Sequence, residues 1–516
     1  MGEQIIQTDS SSASTGFSFF NSNFFTGKIL FIGLIVAQII ATIHVYLSNT
    51  ELFRSLENLK NTGYLTVPNH VVMQSLMEFR PAFYGGLFFT LSAGALLSLL
   101  GLVSALMWDR LFKRKKALLI PFTILWAGLL AEVNIKGFCP VITAYFLFIP
   151  SIVFLTALRH MPPVQQKKTG CLPGMIRATP VILLVVLWSI QANSGVFTNI
   201  RDHLLLSNSP GKKVNDFYYR YTMYPAEAIK SLDQKIIRTC SLDKISDNDL
   251  VKRIRKNLVN YDFLEANKNA AVDLSIDKNN NSLNLSNRGK IILTRSVRNF
   301  LSATQETLRE FSIQTDKQDF FRLFTYISLL TGFPAVMIIF FYCILALILK
   351  IFFNHKRACT VSLFLCLAFA FSVSAFLYHI SGKSIEEDNL LPEALRSANW
   401  HNRVMALKII NENKMDISRF GSYQDLLTSP YIPVRYWLAK ALATSRDPES
   451  HKALLILMDD PCPNVVCMAY YSTGQRGDRR NTAEILKRIK GSDHWYEQWY
   501  AYKALRALGW KQTILK

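Results

Sequence analysis

The sequence predicts a mainly α-helical membrane protein: a seven-helix transmembrane bundle, an extracytoplasmic α+β insert, and a C-terminal α-solenoid of paired helices. Three observations predict it. Seven stretches of 15 to 28 residues carry no ionised side chain. Basic residues gather in alternate loops between those stretches. Residues 391–510 repeat a pattern every 31 or 32 positions.

The apolar stretches are 29–47, 81–108, 117–131, 137–158, 178–200, 323–349 and 358–378. A bilayer core about 30 Å thick requires roughly 20 apolar helical residues, and only a helix crosses it with its own backbone satisfied. The stretch at 117–131 is short, but Val133 and Ile135 extend it. The first stretch lacks a small-residue cleavage site, so it is expected to remain as an anchor. Ahead of it, residues 1–26 are Ser-rich with only Glu3 and Asp9 charged, a composition that predicts disorder. Helices one to five then fall within 27–200, and helices six and seven within 320–378.

Orientation follows from Lys and Arg in short loops. Loop 108–116 has Arg110, Lys113, Arg114, Lys115 and Lys116; loop 159–177 and turn 350–357 are basic as well. All three fall on one side when the N-terminus is cytoplasmic. The insert 201–319 and the domain 379–516 are then extracytoplasmic, and a bacterial inner membrane is the expected location. The net charge is +21. The two polar parts each carry 20 Lys and Arg against 15 Asp and Glu. Most of the excess therefore flanks the apolar stretches, where anionic lipid attracts it. This argues for membrane lipids as partners and against nucleic acid. The eight cysteines include no CxxC pair and no zinc spacing, so neither a disulfide framework nor a metal site is predicted.

The insert begins helically, with Phe217, Tyr221, Tyr224, Ala228 and Leu232 on one stripe. Leu250, Ile254 and Leu258 after Asp247 predict a second helix. Alternation then takes over: Val272, Leu274 and Ile276, a turn at Lys278-Asn279-Asn280-Asn281, Leu283 and Leu285, a turn at Asn287-Arg288-Gly289, and Ile291-Ile292-Leu293. That pattern predicts a three-strand meander.

In the C-terminal repeat Arg403, Arg435, Val466 and Gln498 share one register, as do Ala406, Leu438, Ala469 and Ala501. Fixed periodicity of this length marks helix pairs that bury their faces on one another. The stretch Ser429-Pro430-Tyr431-Ile432-Pro433-Val434-Arg435, followed by Leu438-Ala439-Lys440-Ala441-Leu442, resembles a HEAT repeat. Asp459-Asp460-Pro461 through Val465-Val466 and Ala469 resembles a second unit with Val where Arg is usual. The resemblance covers about a quarter of the chain and implies a protein-interaction scaffold.

Tyr431, Tyr436, Trp437, Trp495, Trp499 and Tyr502 are the candidate partner-binding face, because Tyr and Trp dominate binding hot spots. The competing reading of the same rings is packing between repeats, since Trp495, Trp499 and Tyr502 share one stripe. Glu132 and Asn134, at the end of the third stretch, are the candidate intramembrane polar site. No catalytic constellation, nucleotide-binding loop or cofactor motif is present. The expected function is an integral membrane scaffold or adaptor that presents the repeat array to a protein partner in an envelope assembly. The alternative is a membrane enzyme or transporter acting on a lipid-linked or envelope substrate.

Overall fold

In the computed structural model the described residues are 12–161, 182–186, 188–189, 194–267, 271–381, 390–420 and 423–513 of the 516. Helices dominate, and the chain divides into two compact units. One comprises the described parts of Met1–Ile43, Gly86–Ser194 and Asp319–Tyr378; the other those of His44–Gly85, Gly195–Gln318 and His379–Lys516.

Six described helices are long and apolar enough to cross a membrane: Phe25–Asn61, Phe79–Leu111, Lys116–Asn134, Pro140–His160, Asp319–Leu349 and His355–Val373. They correspond to six of the seven expected spans. The remaining one, 178–200, is broken by positions outside the described residues. Residues 12–26, expected to be unstructured, instead form the start of the helix Ser12–Asn61.

Within the first unit, small residues set the packing distance. A Cβ on Gly101 would lie 2.9 Å from the Pro150 carbonyl oxygen, and one on Gly33 would meet the Ser98 hydroxyl. Such close approach is the usual way apolar helices associate in lipid. Phe89, Tyr145, Phe146 and Phe321 fill the space between the helices, all but excluded from solvent. A π turn at Thr90–Gly94 interrupts the second apolar helix, and the Ser92 carbonyl accepts a hydrogen bond from the Ser328 hydroxyl.

The second unit holds a five-stranded mixed sheet in the order β2-β1-β3-β4-β5. Strands β3 (Leu274–Asn279), β4 (Ser282–Asn287) and β5 (Lys290–Ser296) are the expected antiparallel meander. Two further strands were not expected, β1 (Arg238–Lys244) and β2 (Phe263–Glu265), which pair in parallel on either side of helix Asn248–Val259. Their brevity and polar composition hide them, since β1 buries only Thr239, Cys240 and Leu242. Leu250, Ile254 and Leu258 pack on the sheet with Ile276 and Leu285.

The repeating segment forms four helices that pack in series: Trp400–Glu412, Ile432–Ala441, Pro463–Arg476 and Trp495–Ala507. They are called here the first to fourth row helices. Ala406, Leu438, Ala469 and Ala501, in register by sequence, are all buried. Ser450–Leu457 and Thr482–Gly491 back the third and fourth row helices. Arg435 of the second row helix makes a two-point ion pair with Asp460, at 2.5 and 3.0 Å, just before the third.

Two segments from far upstream are built into this row. Leu65, Val67 and Leu206 belong to its apolar core. The Leu65 N–H donates to Gln512 Oε1 and the Gln512 amide donates back to the Leu65 carbonyl, at 3.3 and 2.8 Å. The Asn215 amide donates to Asn464 Oδ1 at 2.8 Å, with both side chains buried.

Candidate functional site

Charge and aromatic rings converge where residues 199–203 lie along the first two row helices. Local sequence shapes this approach. A helix Ser194–Ile200 gives way to a π turn at Arg201–Leu205, closed by the Leu206 N–H donating to the Arg201 carbonyl at 2.8 Å. The next helix, Ser209–Tyr221, starts at Asn208, whose side chain accepts from the Gly211 N–H at 2.8 Å. Gly211 is required there, because a Cβ would lie 2.2 Å from the Leu204 carbonyl oxygen.

Asp202 is at the centre, with a fully buried side chain. Its Oδ1 accepts from Arg201 Nε and Nη2 at 2.9 and 2.6 Å. Its Oδ2 accepts from Trp437 Nε1 at 2.8 Å and pairs with Lys408 Nζ at 3.2 Å. A buried carboxylate is tolerated only with such complete pairing. Three cations surround the Trp437 ring: Lys440 at 4.5 Å, Lys408 at 5.1 Å and the Arg201 guanidinium at 6.0 Å from the centroid. Arg201 also lies 3.7 Å over the Tyr436 ring. Burial first, and then Arg201, hold the Lys440 ammonium below its ordinary pKa. Asp202 and Glu412 act in the opposite direction on it.

Beside this centre stands a shelf of parallel rings. His203 stacks on His401 at 5.1 Å, His401 on Trp400 at 3.8 Å, and Trp400 on Tyr431 at 5.6 Å. The Arg403 guanidinium lies 5.7 Å from the Tyr431 centroid. His401 and Tyr431 are exposed.

The six aromatic residues singled out by sequence are therefore divided. Tyr431 is 39% exposed, and Trp499 is half-buried under Lys503, which lies 3.5 Å from its ring centroid. Tyr436, Trp437, Trp495 and Tyr502 are buried, which takes them out of any free binding face. Each is spent inside the unit: Tyr436 under Arg201, Trp437 on Asp202, Trp495 against Tyr224 at 5.0 Å, and Tyr502 donating to Asp262 at 2.6 Å. The face they line is covered by the chain's own upstream segments.

The candidate intramembrane pair also separates. Asn134 Oδ1 accepts from the Cys139 N–H and the Thr143 hydroxyl, and its amide donates to the Leu130 carbonyl. It organises the turn between two apolar helices. The Glu132 side chain is exposed, and its backbone carbonyl accepts from the Ile135 N–H at 3.4 Å.

Sequence reasoning missed Arg201, Asp202 and Lys408. One signal was available. Lys408 and Lys440 are 32 residues apart, in the same register as the four positions that defined the repeat. Comparison with family models, with curated proteins and with solved structures finds no match.

Proposed function

We propose that this chain is a membrane-anchored scaffold: its apolar helices tether a HEAT-like solenoid, outside the cytoplasm in a bacterial envelope, where the array recruits a protein partner. One observation carries the reading. The ring shelf of Trp400, His401 and Tyr431, with Arg403 beside it, is an open aromatic surface on the row helices. Aromatic rings and arginine are the residue types that concentrate binding energy at interfaces. Tethering raises the effective concentration of such a site, so a small surface suffices.

The test is photo-crosslinking of the full-length protein in its native membrane, with a photoreactive residue at position 431 and, as control, at 487. The proposal expects a discrete protein adduct from position 431 that disappears in a Trp400→Ala, Arg403→Ala double variant while the control stays silent. Absence of any protein adduct at 431, or an identical adduct at 487, rejects it. Reporter fusions after Lys116 and after Lys516 test the orientation, with opposite sides of the membrane expected.

A further inference from the structure

We infer that Arg201, Lys408 and Lys440, grouped around the Trp437 ring, form a binding site for a phosphate-bearing anion. The inference is independent of the scaffold reading, because it rests on different side chains of the same two row helices and on a different kind of ligand.

Charge balance is the first argument. Three cations lie within 6.0 Å of one indole centroid. The buried carboxylate beside them, Asp202, already accepts from Arg201, Lys408 and Trp437, so its acceptor capacity is consumed. The exposed Glu412 is the other acidic group acting on Lys440, which leaves three cations against two carboxylates. Lys440 has a ring for a neighbour and is only partly buried. Its ammonium donors are the ones that an incoming anion would meet. Placing like charges together costs free energy, and a bound anion relieves that cost.

Rigidity is the second. Arg201 is fixed by its paired hydrogen bonds to Asp202 and by the Tyr436 ring. Lys408 is fixed by Asp202 and by Asn199 at 3.1 Å. A guanidinium and two ammonium groups held in place supply the directed donors that phosphate oxygens require. The repeat confines the site. The positions equivalent to Lys408 and Lys440 in the third and fourth row helices are Tyr471 and Lys503, so the paired cations belong to the first two helices alone.

Position in the chain suggests the source. Arg201 is the first ionised residue after Arg177, following an apolar stretch that ends at Ile200. A lipid headgroup and a free phosphate ester share the chemistry, and the test separates them.

Full-length protein in non-ionic detergent is titrated calorimetrically with dihexanoyl phosphatidic acid, with glycerol phosphate, and with dihexanoyl phosphatidylcholine as the zwitterionic control. The expected result is saturable, salt-sensitive binding of an anionic probe that weakens at least tenfold in Lys440→Glu and is unchanged in Lys487→Glu. Binding of phosphatidic acid alone assigns the site to lipid headgroups; equal binding of glycerol phosphate assigns it to soluble phosphate esters. Lys440→Gln, which keeps the stem over Trp437, replaces Lys440→Glu if thermal unfolding shows that the reversal disrupts the fold. No saturable binding of either anionic probe, or unchanged affinity in the folded Lys440 variant, overturns the inference.

Discussion

The Asn69 backbone N–H donates to Gln498 Oε1 at 2.7 Å, across 429 positions of sequence. The same asparagine caps two helices. Its Oδ1 accepts from the Val71 and Val72 N–H groups, starting helix His70–Ser75. Its amide donates to the carbonyls of Ile489, Lys490 and Ser492, at the end of helix Thr482–Gly491. Asn69→Asp keeps the first cap and sets a carboxylate against three carbonyl oxygens. Asn69→Ala loses both caps. Each cap is worth about 1 kcal/mol and each buried orphan roughly 1–3 kcal/mol. Both variants are expected to lower the unfolding temperature of the full-length protein in detergent, and equal stability of Asn69→Asp and wild type would remove the dual-cap account.

Trp437→Phe keeps an aromatic ring but removes part of the indole volume and the indole N–H that Asp202 Oδ2 accepts. Arg201 and Lys408 remain paired with the carboxylate. The expected loss is about 1–3 kcal/mol, read as a lower denaturation midpoint with unchanged helical content.

Glu497 supplies a pH dependence with a definite sign. Burial pushes its carboxyl from 4.5 up to about 7, against the hydrogen bond that it accepts from the Ser492 hydroxyl. The unfolded chain releases this proton at the lower value, so folding takes up a proton between the two. The contribution of the protonated form is present at low pH and is lost as pH rises from about 4.5 to about 7. One pKa unit corresponds to about 1.4 kcal/mol, which sets an upper limit of about 3 kcal/mol. Glu497→Gln is expected to match wild type near pH 5 and to melt higher than wild type at pH 8. A constant difference between the two proteins across that range would contradict the assignment.

Arg435→Lys tests the link between the second and third row helices. Arginine meets Asp460 at two points and also donates to the Ser429 carbonyl. Both ion-pair side chains are largely buried. A lysine cannot reproduce the fork, and Asp460 would be left under-satisfied. The expected loss is roughly 2 kcal/mol by equilibrium unfolding, on the scale of a charged buried hydrogen bond.

Much of this fold was legible because its signals are periodic. Apolar runs near 20 residues, alternation at Leu283 and Leu285, and the 31–32 residue register at Ala406, Leu438, Ala469 and Ala501 each state a local geometry. Strand β1 was hidden because parallel pairing with β2 and β3 depends on partners distant in sequence. The centre at Asp202 was hidden for a related reason. A single acidic residue after an apolar stretch has no pattern, and its partners Lys408 and Trp437 follow more than 200 positions later. Trp495, Trp499 and Tyr502 read as one stripe by helical spacing, but a stripe does not reveal what covers it. Gln498 departs from the Arg of its register; it was a visible anomaly whose meaning appears only once Asn69 lies beside it.

The reciprocal amide pair between Leu65 and Gln512 ties the fold to the direction of synthesis. Leu65 leaves the ribosome 447 residues ahead of Gln512. The loop after the first apolar helix must therefore wait for its partners, with Asn69 unmatched until Gln498 has been made. Loss of Gln512 would leave a defect in a segment translated long before it.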